Sequence, residues 1–181
     1  TSYIVKYDAK GQPTASSTTT PSTTSTTSLQ DVADTYWAKP FIERLVKDNI
    51  IDGYSDGTFK PEQSVTRGEF SVILEKAFSE DPVRKSRAFS DVPANHPAAA
   101  AIGKAYTTGF VSGYSDNTFR PDLKLTKAQT LVYLANGLQI DTPSNAAKTL
   151  SIYRDANEIS ERTQNGIAAD TEKGLVDNNQ K

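Results

Sequence analysis

Cysteine and methionine are absent from this chain of 181 residues, and histidine and tryptophan occur once each. The lack of cysteine removes disulfide staples, thiol catalysis and cysteine-ligated zinc or iron–sulfur centres together. With His96 as the sole histidine, multi-histidine metal sites are excluded, and a Ser-His-Asp triad would have to be built on that residue. No G-x-S-x-G nucleophile motif accompanies it, and the setting Asn95-His96-Pro97 suits a surface or capping residue. Basic residues are not in excess either: 20 Lys and Arg against 22 Asp and Glu give a net charge of −2, which disfavours a nucleic-acid partner. No apolar run approaches the roughly 20 residues of a membrane-spanning helix. A basic-then-apolar leader is missing too, so the sequence reads as a processed mature chain or a piece of a longer one.

What is present begins with Ser2-Tyr3-Ile4-Val5-Lys6-Tyr7, whose alternation predicts a short strand within an N-terminal segment, residues 1–13. Residues 14–28 are almost wholly Ser and Thr around Pro21; they offer no apolar surface to offset chain entropy and read as a flexible linker. Sliding the remainder against itself exposes an internal repeat. Gly53-Tyr54-Ser55-Asp56-Gly57-Thr58-Phe59 returns sixty positions later as Gly113-Tyr114-Ser115-Asp116-Asn117-Thr118-Phe119. Asp31-Val32 with Asp91-Val92, Pro61 with Pro121, Thr66 with Thr126 and Leu74 with Leu134 keep the same spacing without a gap. A third start is visible at Tyr153-Arg154-Asp155-Ala156 and again at Gly174-Leu175-Val176, but no third Gly-Tyr-Ser-Asp loop follows. The expected division is repeat 1 over 29–88, repeat 2 over 89–150 and a partial repeat 3 over 151–181.

Each repeat reads as helix, loop, helix. Phe41, Ile42, Leu45, Val46 and Ile50 recur at helical spacing behind Pro40, and Ile102, Ala105 and Tyr106 do so behind Pro97, with Gly109 as the stop. The loop carries Asp56-Gly57, where a carboxylate can accept backbone N–H groups and glycine can take a positive φ; Asn117, the next best residue for a left-handed turn, replaces Gly57 in the second copy. Phe59 and Phe119 give each loop an apolar pin. An EF-hand beginning at Asp52 would put Tyr54 and Gln63 where oxygen ligands and a bidentate Glu are needed, so calcium binding of that kind is excluded and no metal is expected. The second helix opens at Thr66-Arg67-Gly68-Glu69 and again at Thr126-Lys127-Ala128-Gln129, both with the spacing of a capping box. Capping accounts for Thr66 and Glu69. It does not account for the cations Arg67 and Lys127 at helix N-termini, where the macrodipole disfavours positive charge; an anionic ligand and plain solvent exposure both remain open readings.

Taken together, Asp31-Val32, Trp37-Ala38, the loop from Gly53 to Pro61 and Thr66-Arg67-Gly68-Glu69 resemble the S-layer homology repeat of bacterial envelope proteins, with Gly68 in place of alanine. The resemblance covers Asp31 to about Leu138 well. It implies a mainly α fold of tandem helix-loop-helix repeats in a pseudo-threefold arrangement, with the third repeat incomplete, and grooves between repeats that bind wall polysaccharide bearing anionic, pyruvylated sugars. On that basis Arg67 would recognise charge, Trp37 would stack on a sugar, and Gly53, Asp56 and Gly57 would shape the groove, with Glu69, Asp116 and Lys127 completing the candidate set. In the second copy Pro97 stands for Trp37, Lys127 for Arg67 and Gln129 for Glu69, and a lysine does not reproduce the planar fork of an arginine. One good groove and one weakened one are therefore expected.

The leading function is a non-catalytic module binding a cell-wall polysaccharide or peptidoglycan-associated glycan at the bacterial cell envelope, without cofactor. The alternative is a structural protein whose repeats dock onto another envelope or assembly protein. A glycosidase would need a positioned carboxylate pair, and Asp56, Glu69 and Asp116 already have turn or cap explanations.

Overall fold

The computed structural model describes residues 29–176, and the expected N-terminal strand and Ser/Thr linker lie outside them. Among the described residues the chain is helical, with no strand; Thr66 and Lys124 form an isolated antiparallel bridge. The helices are α1 (Lys39–Lys47), α2 (Arg67–Ala77), α3 (Ala99–Thr107), α4 (Lys127–Gly137), α5 (Ala146–Leu150) and α6 (Glu161–Glu172), with a 3-10 turn at Ala156–Glu158 before α6.

Local chemistry sets these boundaries. Both capping boxes form: Thr66 Oγ1 accepts from Glu69 N–H at 3.2 Å while Glu69 Oε2 accepts from Thr66 N–H at 2.8 Å, and Thr126 and Gln129 repeat the exchange at 3.2 and 3.0 Å. His96 Nδ1 accepts from Ala98 N–H at 3.1 Å, ahead of α3. Helix α3 stops at Gly109, whose φ of 90° is the left-handed conformation that favours glycine.

The loops are built alike. Gly57 and Asn117 take φ of 80° and 63°, as the turn pair requires. Lys60 and Arg120 also take left-handed φ, 57° and 60°. A carboxylate from the repeat start holds each of them: Asp31 accepts from Phe59 and Lys60 N–H at 2.7 and 2.6 Å, and Asp91 from Phe119 and Arg120 N–H at 2.7 Å each.

Packing then runs between repeats. Helix α2 lies on α3, α4 lies on α6, and α5 also packs on α6, so the second helix of one repeat covers the first helix of the next. One core gathers Phe70, Leu74, Phe89, Ile102, Phe110 and Phe119, and a second gathers Leu150, Ile167 and Ala168. Helix α6 has the role of a first helix in a third unit: Leu175 N–H bonds the carbonyl of Asp170 as Ile50 N–H, after α1, bonds that of Leu45. Helix α1 is the exception. Its spacing predicted one apolar side, and Ile42 is buried, but Phe41 and Leu45 are exposed because no second helix lies over them among the described residues.

Candidate functional site

The junction between repeats 1 and 2 is built by the start of α2. Gly68 N–H bonds the Pro121 carbonyl at 2.8 Å and Arg67 N–H that of Leu123 at 2.9 Å, while Leu125 N–H returns to Val65 at 2.9 Å. A β-carbon on Gly68 would lie 3.3 Å from Pro121, so glycine here lets the two segments close tightly. The approach carries the Arg67 side chain into the loop of repeat 2. Its Nε donates to the Phe119 carbonyl at 2.7 Å, one terminal nitrogen to the Ser112 carbonyl at 2.7 Å, and the other to the Tyr133 hydroxyl. The guanidinium also lies 4.3 Å from the Phe119 ring centre and 5.1 Å from that of Tyr114.

Arg67 is therefore 3% exposed, and no carboxylate forms an ion pair with it among the described residues. Each of its three nitrogens donates to a neutral oxygen. Burial pushes its pKa below the ordinary arginine value and nearby Arg120 acts the same way, while Tyr114 and Asp91 oppose them. Arg120 lies 4.0 Å from the other partner of this cluster, the Tyr114 ring, and pairs with Asp116 at 2.9 Å. Asp116 also accepts from Thr118 Oγ1 and N–H at 2.6 and 3.0 Å; these bonds, the hydroxyl's first, bring its carboxyl down to about 2.

The other candidates fall elsewhere. Asp56 holds its own turn through Thr58 N–H and Oγ1, at 3.0 and 2.6 Å, and pairs with Lys60. At Gly53 a β-carbon would meet the Leu29 side chain at 2.9 Å and the Thr58 carbonyl at 3.0 Å, and Gly57 supplies its positive φ. Glu69 is committed to the capping box. Lys127 is exposed at the start of α4, the counterpart of Arg67 for the next junction. Trp37 is exposed ahead of α1 and makes ring contacts with Tyr36 and Phe41. The structure thus brings Arg67 and Asp116 into one junction, through Tyr114 and Arg120, and leaves Trp37, Asp56 and Lys127 in separate settings.

The roles of three residues went unread in the sequence. Asp31 and Asp91 organise the loops; their fixed distance ahead of Phe59 and Phe119 in both copies is the signal that could have found them. Asp170 is fully buried in α6 at the position of Ala105, and neither carboxylate oxygen has a hydrogen-bond partner among the described residues. Among the same residues no group of three or more His, Asp or Glu is placed to hold a metal ion, and no helix is long and apolar enough to cross a membrane.

The S-layer homology domain matches residues 29–71 and 88–131, the two repeats that meet at the Arg67 junction. The chain belongs to this family, whose repeats are non-catalytic anchoring units of the bacterial cell envelope. It is similar to Cell surface glycoprotein 1 of Acetivibrio thermocellus, 31% identical over 138 residues, 71% of this chain and 6% of that protein. It is similar also to the Cellulosome-anchoring protein of the same species, 30% identical over 121 residues, 64% of this chain and 27% of the relative. An Endoglucanase of a Bacillus species is 30% identical over 162 residues, 86% of this chain but 16% of the enzyme. The chain therefore spans a small part of each of these relatives.

Proposed function

We propose that this chain is a non-catalytic module that anchors its parent protein to the bacterial envelope by binding an anionic wall polysaccharide, of the pyruvylated kind. The observation that carries the reading is the Arg67 junction: a guanidinium with no ion pair to a carboxylate among the described residues, a second guanidinium at Arg120, and a tyrosine between them, at the seam of two repeats. Asp91 offsets the Arg67 charge without forming an ion pair with it, and an acidic sugar at the seam is a further charge that would favour the pair of guanidinium groups. Arg67, buried beneath the seam, acts through its charge. Exposed Lys127 supplies the weaker second site, and Trp37 offers a ring face to a sugar. The loops formed by Gly53, Asp56 and Gly57 and by Asp116 shape the surface. Two of the relatives, a cell surface glycoprotein and a cellulosome-anchoring protein, support the anchoring part of the reading by name. The endoglucanase similarity spans 16% of that enzyme, which supports a shared non-catalytic region.

Co-sedimentation with purified wall sacculi tests the proposal. Retention should weaken as salt rises and vanish on sacculi stripped of their anionic polysaccharide. Equal retention on stripped and unstripped sacculi would overturn it.

A further inference from the structure

Helix α6 is held differently from the helices before it. The seam between repeats 1 and 2 is tied by backbone hydrogen bonds and by the three side-chain bonds of Arg67. Helix α6 lies on α4 and α5, yet among the described residues no backbone hydrogen bond and no ion pair joins it to either. Its side-chain bonds outside the helix stay within the segment between α5 and α6, as from Gln164 Nε2 to the Ile159 carbonyl at 3.1 Å and between the Thr171 and Tyr153 hydroxyls at 3.0 Å. What seats it is apolar contact. Ile167 and Ala168 close on Leu150, with Ala128 and Leu131 of α4 beside them, and at Gly166 a β-carbon would lie 2.9 Å from a Val132 methyl.

One turn beyond Ile167, Asp170 is fully buried as well, and neither carboxylate oxygen has a hydrogen-bond partner among the described residues. The titratable groups around it supply no partner. Lys127 of α4 and Lys148 of α5 are exposed, as are Arg154, Asp155 and Glu158 between α5 and α6 and Glu161, Glu172 and Lys173 of α6 itself. Tyr133 of α4 accepts from Arg67, and Tyr153 is bonded to Thr171. Burial alone raises the Asp170 carboxyl to about 7.

We propose that α6 is a strap governed by this one side chain: it seats on α4 and α5 while Asp170 is neutral and lifts from them once Asp170 ionises, baring Leu131 and Leu150. A carboxylate without a partner is costly to keep in an apolar seat, and lifting α6 returns it to water without breaking a hydrogen bond to α4 or α5 among the described residues. The Arg67 seam lies between other segments and stays closed. The seated form keeps a proton that the lifted form releases, so the lifted fraction rises about tenfold per pH unit between about pH 4 and about pH 7 and levels off above. The inference is independent of glycan binding.

Hydrogen exchange of the full chain between about pH 4 and about pH 8, with protection taken relative to the intrinsic rate at each pH, tests this. At about pH 8 the amides of α6 should exchange through an opening at least tenfold more populated than that of α2, and less sensitive to urea because one helix exposes less surface than the whole chain. Their protection should fall about tenfold per pH unit up to about pH 7. Asp170→Asn keeps the volume and cannot ionise, so it should abolish that fall; Asp170→Ala, with the residue found in α3, should do the same and stands in if the first variant folds poorly. The proposal is overturned if α6 and α2 share one protection and one urea dependence, which would mean that the chain opens only as a whole, or if either folded variant keeps the native pH profile.

Discussion

Arg67 Nε donates to the carbonyl oxygen of Phe119 at 2.7 Å and so joins residues 52 positions apart. The same loop is held from its other side by Asp91, which accepts the Phe119 N–H at 2.7 Å. The residue that gives the junction its charge is thus also the bolt between repeats, and any change to it acts on stability as well as on binding.

Arg67→Ala leaves the Phe119 and Ser112 carbonyls and the Tyr133 hydroxyl without their donor, in a place closed to water. The expected loss is about 3 kcal/mol, since an unsatisfied buried polar group costs roughly 1–3 kcal/mol and the three are not additive. Arg67→Lys should recover only part of this, because one ammonium cannot span three divergent acceptors. Urea unfolding of the three proteins checks it; a lysine variant as stable as the native chain would show that the fork geometry does not matter.

Asp170 controls an opposite sensitivity. Burial pushes its carboxyl from 3.8 up to about 7, so between those pH values the folded chain keeps a proton that the unfolded chain releases. Its contribution is therefore most favourable below about pH 4 and is lost as pH rises towards about 7. Asp170→Ala, the residue found at the matching place in α3, should remove this slope and stabilise the chain at pH 8 by about 2 kcal/mol or more. Thermal melts of both proteins at pH 4 and pH 8 test this, and parallel pH profiles would contradict it.

At the acid end Asp116 behaves conventionally. Its carboxyl is depressed to about 2 in the fold, so what it gives to the second loop is present above about pH 4 and lost as pH falls through about 2. Amide protection across residues 113–120, taken relative to the intrinsic exchange rate at each pH, should fall as pH drops towards about 2, and Asp116→Ala should show the lower protection already at pH 6.

The local elements could be read from sequence because their causes lie within a few residues. The capping boxes of Thr66 with Glu69 and Thr126 with Gln129, the turns at Gly57 and Asn117, and the stop at Gly109 all follow from side chains next to the backbone they hold. The burial of Arg67 could not be read in that way: a cation at a helix start looks solvent-exposed until Ser112, Phe119 and Tyr133 arrive from 45 to 66 positions away. Periodicity likewise finds the apolar side of α1 without telling what covers it. Asp170 is hidden for the converse reason, since an acidic residue in a helix reads as solvated until the helix is packed.

Replacing Lys127 by Gln removes a charge that stands in solvent, unlike the buried one of Arg67. Folding stability should stay within about 0.5 kcal/mol of the native chain. Affinity for wall polysaccharide should fall two- to fivefold with a shallower salt dependence, measured by calorimetry; an unchanged affinity would remove Lys127 from the site.

The most direct measurement is hydrogen exchange of the full chain with and without soluble wall polysaccharide. Wall binding at the seam predicts added protection concentrated in residues 112–120 and at the start of α2, and its loss when the acidic groups of the polysaccharide are removed. Protection that is absent, or that appears elsewhere and ignores the charge of the sugar, would contradict the account.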